Sequence, residues 1–141
     1  MGRLLGIDYG RARIGIALSD ETRFLASPLC CLDNKKDFPD KLKIQLKNHK
    51  VDAIVIGLPL LMSGKDGPMT VEVRQFSEYL GKVMELPVIL WDERLTSLQA
   101  ERSLQDLGVN RKKRAEASDT LAASLILQSY LDCKRNTHDT L

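Results

Sequence analysis

Only four residues, Tyr9-Gly10-Arg11-Ala12, separate the apolar run Leu4-Leu5-Gly6-Ile7-Asp8 from the segment Arg13-Ile14-Gly15-Ile16-Ala17-Leu18-Ser19. Both read as strands, the second alternating imperfectly between apolar and small residues. A parallel pair needs a crossover of about a dozen residues, so a link this short makes the two strands antiparallel. Gly10 is free to take the positive φ of a tight turn. Ser27 to Leu32 reads as a third strand. The first third of the chain is therefore expected to be an antiparallel meander.

The pattern then changes. Phe38, Leu42 and Leu46 recur every fourth residue and predict a helix ending near His49. Ala53-Ile54-Val55-Ile56-Gly57 has almost no polar content, as expected of a strand in the middle of a sheet. A loop with Pro59, Gly64, Gly67 and Pro68 follows. Val73, Phe76, Leu80 and Val83 mark a second helix, and Val88 to Trp91 a fifth strand. A third helix is expected from about Ser97 to Leu107, with a Thr96/Gln99 capping box and Gly108 at its end. A basic loop then leads into a last helix from about Ser118 to Asp132. The order β-β-β-α-β-α-β-α-α predicts an α/β fold: a five-stranded mixed sheet, three meander strands and then α-β units, flanked by helices. A chain of 141 residues predicts one domain spanning 1–141.

Composition narrows the function classes. Net charge is only +2, so any case for a nucleic-acid partner rests on local clustering. No apolar stretch reaches the roughly 18 residues of a membrane span, and the start is too short for a signal-peptide core. Cys30, Cys31 and Cys133 fit neither a disulfide framework nor a zinc site. The expected compartment is a reducing cytoplasm.

Three acids stand where core residues would otherwise be. Asp8 ends the first apolar run, Glu93 follows Val88-Ile89-Leu90-Trp91-Asp92, and Asp119 lies in the first turn of the predicted last helix. An unpaired buried charge is costly, so acids at such positions point to a shared site whose guest is a divalent cation. Asp119, Ala122, Ala123, Ile126 and Tyr130 share one helix face, which carries the acid toward the sheet. The helix N-terminus is expected to favour its ionised form. Each acid also has an ordinary reading: Asp8 in a turn, Glu93 in a surface ion pair with Arg94, Asp119 as a cap. Asp92 and Glu93 point to opposite faces of an extended segment, so one of them reaches the site; Glu93 is favoured and Asp92 is the alternative.

Two metal ions about 4 Å apart serve both ends of an in-line phosphodiester hydrolysis, which makes a metal-dependent nuclease the expected activity. Arg111-Lys112-Lys113-Arg114, read as a loop beside Asp119, and Arg11 and Arg13 beside Asp8 are candidate phosphate contacts, with Arg94 next to Glu93. No aromatic stacking platform is recognisable, so recognition by backbone and shape is expected.

Taken together, Gly6-Ile7-Asp8-Tyr9-Gly10, Arg13–Asp20, Val55–Leu60, Asp92-Glu93-Arg94-Leu95-Thr96 and Asp119-Thr120-Leu121-Ala122-Ala123 with Ile126-Leu127 resemble the motifs of the YqgF family, also called RuvX, in order along the chain. The resemblance implies an RNase H-like fold related to RuvC resolvase. It further implies a cytoplasmic bacterial nuclease that processes the 5′ end of precursor 16S rRNA within a pre-ribosomal particle. Cleavage of Holliday junctions, hence branched DNA, is the alternative. It also places the family's metal-binding role, for Mg²⁺ or Mn²⁺, on Asp8, Glu93 and Asp119. Two departures stand out. Leu61-Met62-Ser63-Gly64 replaces the Asn-Met-Asp-Gly usual in the family, and RuvC's further acids have no counterpart at Gly57-Leu58-Pro59 or Ala122. A noncatalytic nucleic-acid-binding module is the second class of function. An actin-type phosphotransferase is disfavoured because it needs two such domains. Both a monomer and a homodimer are compatible with the sequence.

Overall fold

The computed structural model describes residues 2–94 and 111–136. The predicted helix Ser97–Leu107, with its Thr96, Gln99 and Gly108 signals, lies outside the described residues. Five strands form one sheet: β1 (Arg3–Asp8), β2 (Arg13–Ser19), β3 (Ala26–Asp33), β4 (Val51–Leu58) and β5 (Val88–Asp92), in the spatial order β3-β2-β1-β4-β5. The meander is antiparallel, with Ile7 opposite Ile16 and Asp8 opposite Gly15. β4 and β5 join in parallel, with Ile7 beside Ile56 and Gly57 beside Trp91. The mixed five-stranded sheet expected from connection lengths is the one observed.

Helices cover both faces. The alternation of β1 sends Leu5 and Ile7 to one side and Leu4 to the other. On the first side Leu5, Ile7, Ile16, Ile54 and Ile56 pack under α1 (Phe38–Gln45) and α2 (Pro68–Met84). On the second, Ala17, Val55 and Leu4 pack under Ala123, Ile126 and Leu127 of α3 (Arg111–Asn136). α1 stops at Gln45, before the expected His49, with the Leu46 N–H closing on the Leu42 carbonyl. Among the described residues no helix is long and apolar enough to cross a membrane.

α3 departs most from expectation. It begins at Arg111, seven residues before Ser118, so Arg111-Lys112-Lys113-Arg114 is the opening of a helix and not a loop. The segment Arg111–Ser118 contains no Gly or Pro to break a helix, and Arg, Lys, Ala and Glu all favour one. It lacks the apolar period that locates helices in a sequence, so its polar residues read as a loop. Asp119 consequently stands in the third turn, beyond the reach of the N-terminal dipole, which fades within the first turn.

The sheet side of the α3 interface is lined by glycine. A Cβ on Gly6 would lie 2.7 Å from Leu127 Cβ, and one on Gly57 2.6 Å from Ile126 Cδ1. The alanines of α3 and these glycines together let helix and sheet touch nearly backbone to backbone. Ile126 is 1% exposed at the centre of this contact. Ile126→Ala is expected to cost about 2–5 kcal/mol in chemical denaturation. A loss under about 1 kcal/mol would mean that α3 is not anchored there.

Candidate active site

The face of the sheet under α3 carries the acids. Asp8 shares the parity of Leu4 and Gly6, so its side chain leaves β1 on the α3 side. Glu93 shares the parity of Ile89 and Trp91, which pack on that side, and its N–H reaches the Leu58 carbonyl at 3.3 Å. Its carboxylate lies over Gly57, where a Cβ would come within 2.5 Å of Oε2. A side chain at position 57 would displace Glu93.

Burial pushes the Asp8 carboxyl up to about 8, and the negative charges of Glu93 and then Asp119 push it the same way. Asp8 on β1 thus feels both the acid after β5 and the acid on α3. Burial, with the neighbouring Asp92 charge, also raises Glu93. Asp92 itself turns outward into an ion pair with Arg94, Nε to Oδ2 2.9 Å, which holds its carboxyl below the usual range. Of the two neighbouring acids, Glu93 is the one near Asp8.

Asp119 is turned toward β2. Its Oδ2 accepts from Arg13 Nε at 3.0 Å, with the Cys31 thiol 3.8 Å from the same oxygen. As the side chains stand, no three His, Cys, Asp or Glu among the described residues gather closely enough to hold one metal ion. The donor chemistry itself suits Mg²⁺ or Mn²⁺: carboxyl oxygens only, with the charges of Glu93 and Asp119 acting on Asp8.

Three of the basic candidates pair with acids. Arg11 pairs with Glu72 at 3.1 Å, Arg13 with Asp119, and Arg94 with Asp92. Arg94 also extends Nη1 toward the Leu61 and Met62 carbonyls, at 3.5 and 3.4 Å, and so tethers the tip of the loop after β4. Arg111, Lys112, Lys113 and Arg114 open α3, eight to five residues before Asp119.

Two neighbours escape sequence reasoning. Glu72 on α2 accepts from the Tyr9 hydroxyl at 2.7 Å as well as from Arg11, locking the turn that follows Asp8. Between Val71 and Val73 it reads only as the solvent side of a helix. Cys31 reads as one of an ordinary adjacent pair; only the strand register brings it opposite Gly15 and toward Asp119.

Comparison with known proteins adds to this picture. A family model described as "RuvX: Holliday junction resolvase" matches residues 2–133. A protein of Protochlamydia amoebophila named "Putative pre-16S rRNA nuclease" is 44% identical, the match covering 94% of each chain. One of the same name from Caldanaerobacter subterraneus is 42% identical over 96% of this chain and 99% of its own. Among solved structures, Thermus thermophilus RuvC in complex with a Holliday junction substrate superposes with a TM-score of 0.55 at 13% identity, over 97% of this chain and 98% of that one. The fowlpox virus resolvase bound to Holliday junction DNA also gives 0.55, at 12% identity, over 93% of this chain and 97% of that one. At that identity the likeness concerns the fold, which is RNase H-like. With the family model and full-length relatives in agreement, the chain belongs to the RuvX family.

Proposed function

We propose that this chain is a metal-dependent nuclease, one RNase H-like domain, that hydrolyses phosphodiester bonds at the 5′ end of precursor 16S rRNA in the bacterial cytoplasm. The observation that carries the reading is the electrostatic coupling of Asp8 to both Glu93 and Asp119 at one end of the sheet. Structural acids are normally paired with cations or placed in solvent. Here two of them, Asp8 and Glu93, are driven toward their protonated forms by burial and by other acids, a state that a divalent ion would relieve.

Asp8, Glu93 and Asp119 would hold Mg²⁺ or Mn²⁺. When bound, such ions activate water and stabilise the leaving oxygen of the phosphodiester. The chain's own part is to present the ligands on a rigid floor. Asp8 must lose its proton to serve, so ion uptake is coupled to proton release. Gly57 leaves room for the Glu93 carboxylate, and Glu72 immobilises the turn after Asp8. Arg11, Arg13, Arg94 and the Arg111–Arg114 stretch are assigned to the phosphate backbone, which carries most of the affinity and no sequence information. The precursor rRNA of a pre-ribosomal particle is the favoured partner because the full-length relatives are named for it.

The family model's description supports a second reading, cleavage of Holliday junctions. Purified protein with Mn²⁺ or Mg²⁺, given a precursor 16S transcript and a four-way DNA junction side by side, separates the two. The expected result is cleavage of the transcript's 5′ leader, none in EDTA, and an intact junction. A junction cut faster than the transcript transfers the function to branched DNA. If both stay intact while the transcript is bound without metal, the chain is a binding module.

A further inference from the structure

Arg13 opens β2 on the same face as Gly15, and its Nε stands 3.0 Å from Asp119 Oδ2. The two side chains are 36% and 27% exposed, so water reaches the pair. Ion pairs this accessible contribute about 0–1 kcal/mol and are readily exchanged for another cation. Asp8 lies within the field of the Asp119 charge, so the two carboxyl groups are neighbours. A divalent ion between them gains from two carboxylates once Asp8 gives up its proton, whereas the Arg13 Nε–Hε group is held to Asp119 Oδ2 by one accessible bond.

We propose that Arg13 is the resident cation of Asp119: it yields this carboxylate to a divalent ion, and its freed guanidinium then takes a phosphate of the substrate strand. The inference rests on the reading of Asp119 as a metal ligand. It makes ion binding and RNA binding mutually supportive, since the ion releases a positive arm beside the cleavage site. It also accounts for the absence, among the described residues, of a three-acid cluster ready for a metal. A merely structural Arg13, stapling α3 to β2, makes different predictions.

The test uses the full chain and Mn²⁺ itself, with free Mn²⁺ followed by electron paramagnetic resonance. Arg13→Gln is expected to bind Mn²⁺ about three- to fivefold more tightly than the wild type, because a competing cation is gone. The same variant should bind precursor RNA more weakly, with the log–log salt slope reduced by about one. In the wild type, the Arg13 Nε–Hε resonance, assigned by its loss in Arg13→Lys, should shift and exchange faster on adding Mg²⁺ but not on adding KCl of equal ionic strength. Equal or weaker Mn²⁺ binding by folded Arg13→Gln overturns the proposal. So does an Arg13 resonance that ignores Mg²⁺ while the ion binds, an experiment that decides the matter even if the variant misfolds. In either case the nuclease reading survives. No Mn²⁺ binding by the wild type sinks both.

Discussion

Asp8→Asn is expected to lower cleavage of precursor rRNA by about a thousandfold or more while making the metal-free protein more stable at pH 8. The two effects share one cause. The Asp8 carboxyl is raised from 3.8 to about 8 by burial and by the charges of Glu93 and Asp119. Between those two pH values the folded chain holds a proton that the unfolded chain has released. The native state therefore binds more protons, and stability falls as pH rises through that window, by at most about 1.4 kcal/mol per pH unit from this group. Below the window the carboxyl is neutral in both states and the penalty is absent. Asparagine has nearly the same shape and never ionises, so its advantage should be largest near pH 8 and vanish near pH 4. Glu93, raised in the same direction, keeps a smaller slope of the same sign in the variant. Thermal melts of both proteins in EDTA across that range test the claim. A pH-independent difference would show that Asp8 is not the titrating group. Mg²⁺ should raise the melting temperature of the wild type and leave Asp8→Asn nearly unchanged, since only a native state that binds the ion gains from it.

Gly15→Ala should be the most damaging alanine substitution among the described glycines, since its Cβ would make the shortest contact. The new Cβ would fall 2.0 Å from the Asp119 carbonyl oxygen and 2.4 Å from its carbon. Both atoms belong to helix backbone, which has no rotamer by which to retreat. The strand cannot retreat either, because β2 is paired on both sides, to β1 and β3. The remaining option is to lift α3 from the sheet, at a cost of about 3 kcal/mol or more by the standards of overpacked cores. The lift begins at Asp119, so Mn²⁺ affinity should fall with stability. Gly57→Ala is an instructive contrast. Its Cβ meets Glu93 Oε2 at 2.5 Å and Ile126 Cδ1 at 2.6 Å, both ends of movable side chains. It should cost less stability than Gly15→Ala and still lose activity through a displaced Glu93. Urea denaturation with parallel Mn²⁺ titration distinguishes them. A Gly15→Ala protein within about 0.5 kcal/mol of wild type would mean that helix and sheet are not in backbone contact.

What was readable without coordinates is what local chemistry controls. A four-residue link makes β1 and β2 antiparallel whatever surrounds them, and the unbroken apolar run of β4 places it inside the sheet. The period of Asp119, Ala122, Ala123, Ile126 and Tyr130 identifies the inward face of α3, because burial selects apolar residues every third or fourth position. The three acids stood out because they interrupt such patterns. The start of α3 was not readable. Its first residues carry no apolar period, and their polar sequence reads equally as loop or helix. Nor could any local rule choose between Asp92 and Glu93. The parity of β5 and the open floor of Gly57 direct Glu93 toward Asp8, while Arg94 draws Asp92 away.

The pairing of Arg13 with Asp119 and of Glu72 with Tyr9 and Arg11 spans most of the chain. Sequence alone thus determined the order of the described elements and singled out the acids that interrupt their patterns. Tertiary structure alone decided which charge faces which, because electrostatic partners are set by distance in space and chain separation carries no information about it.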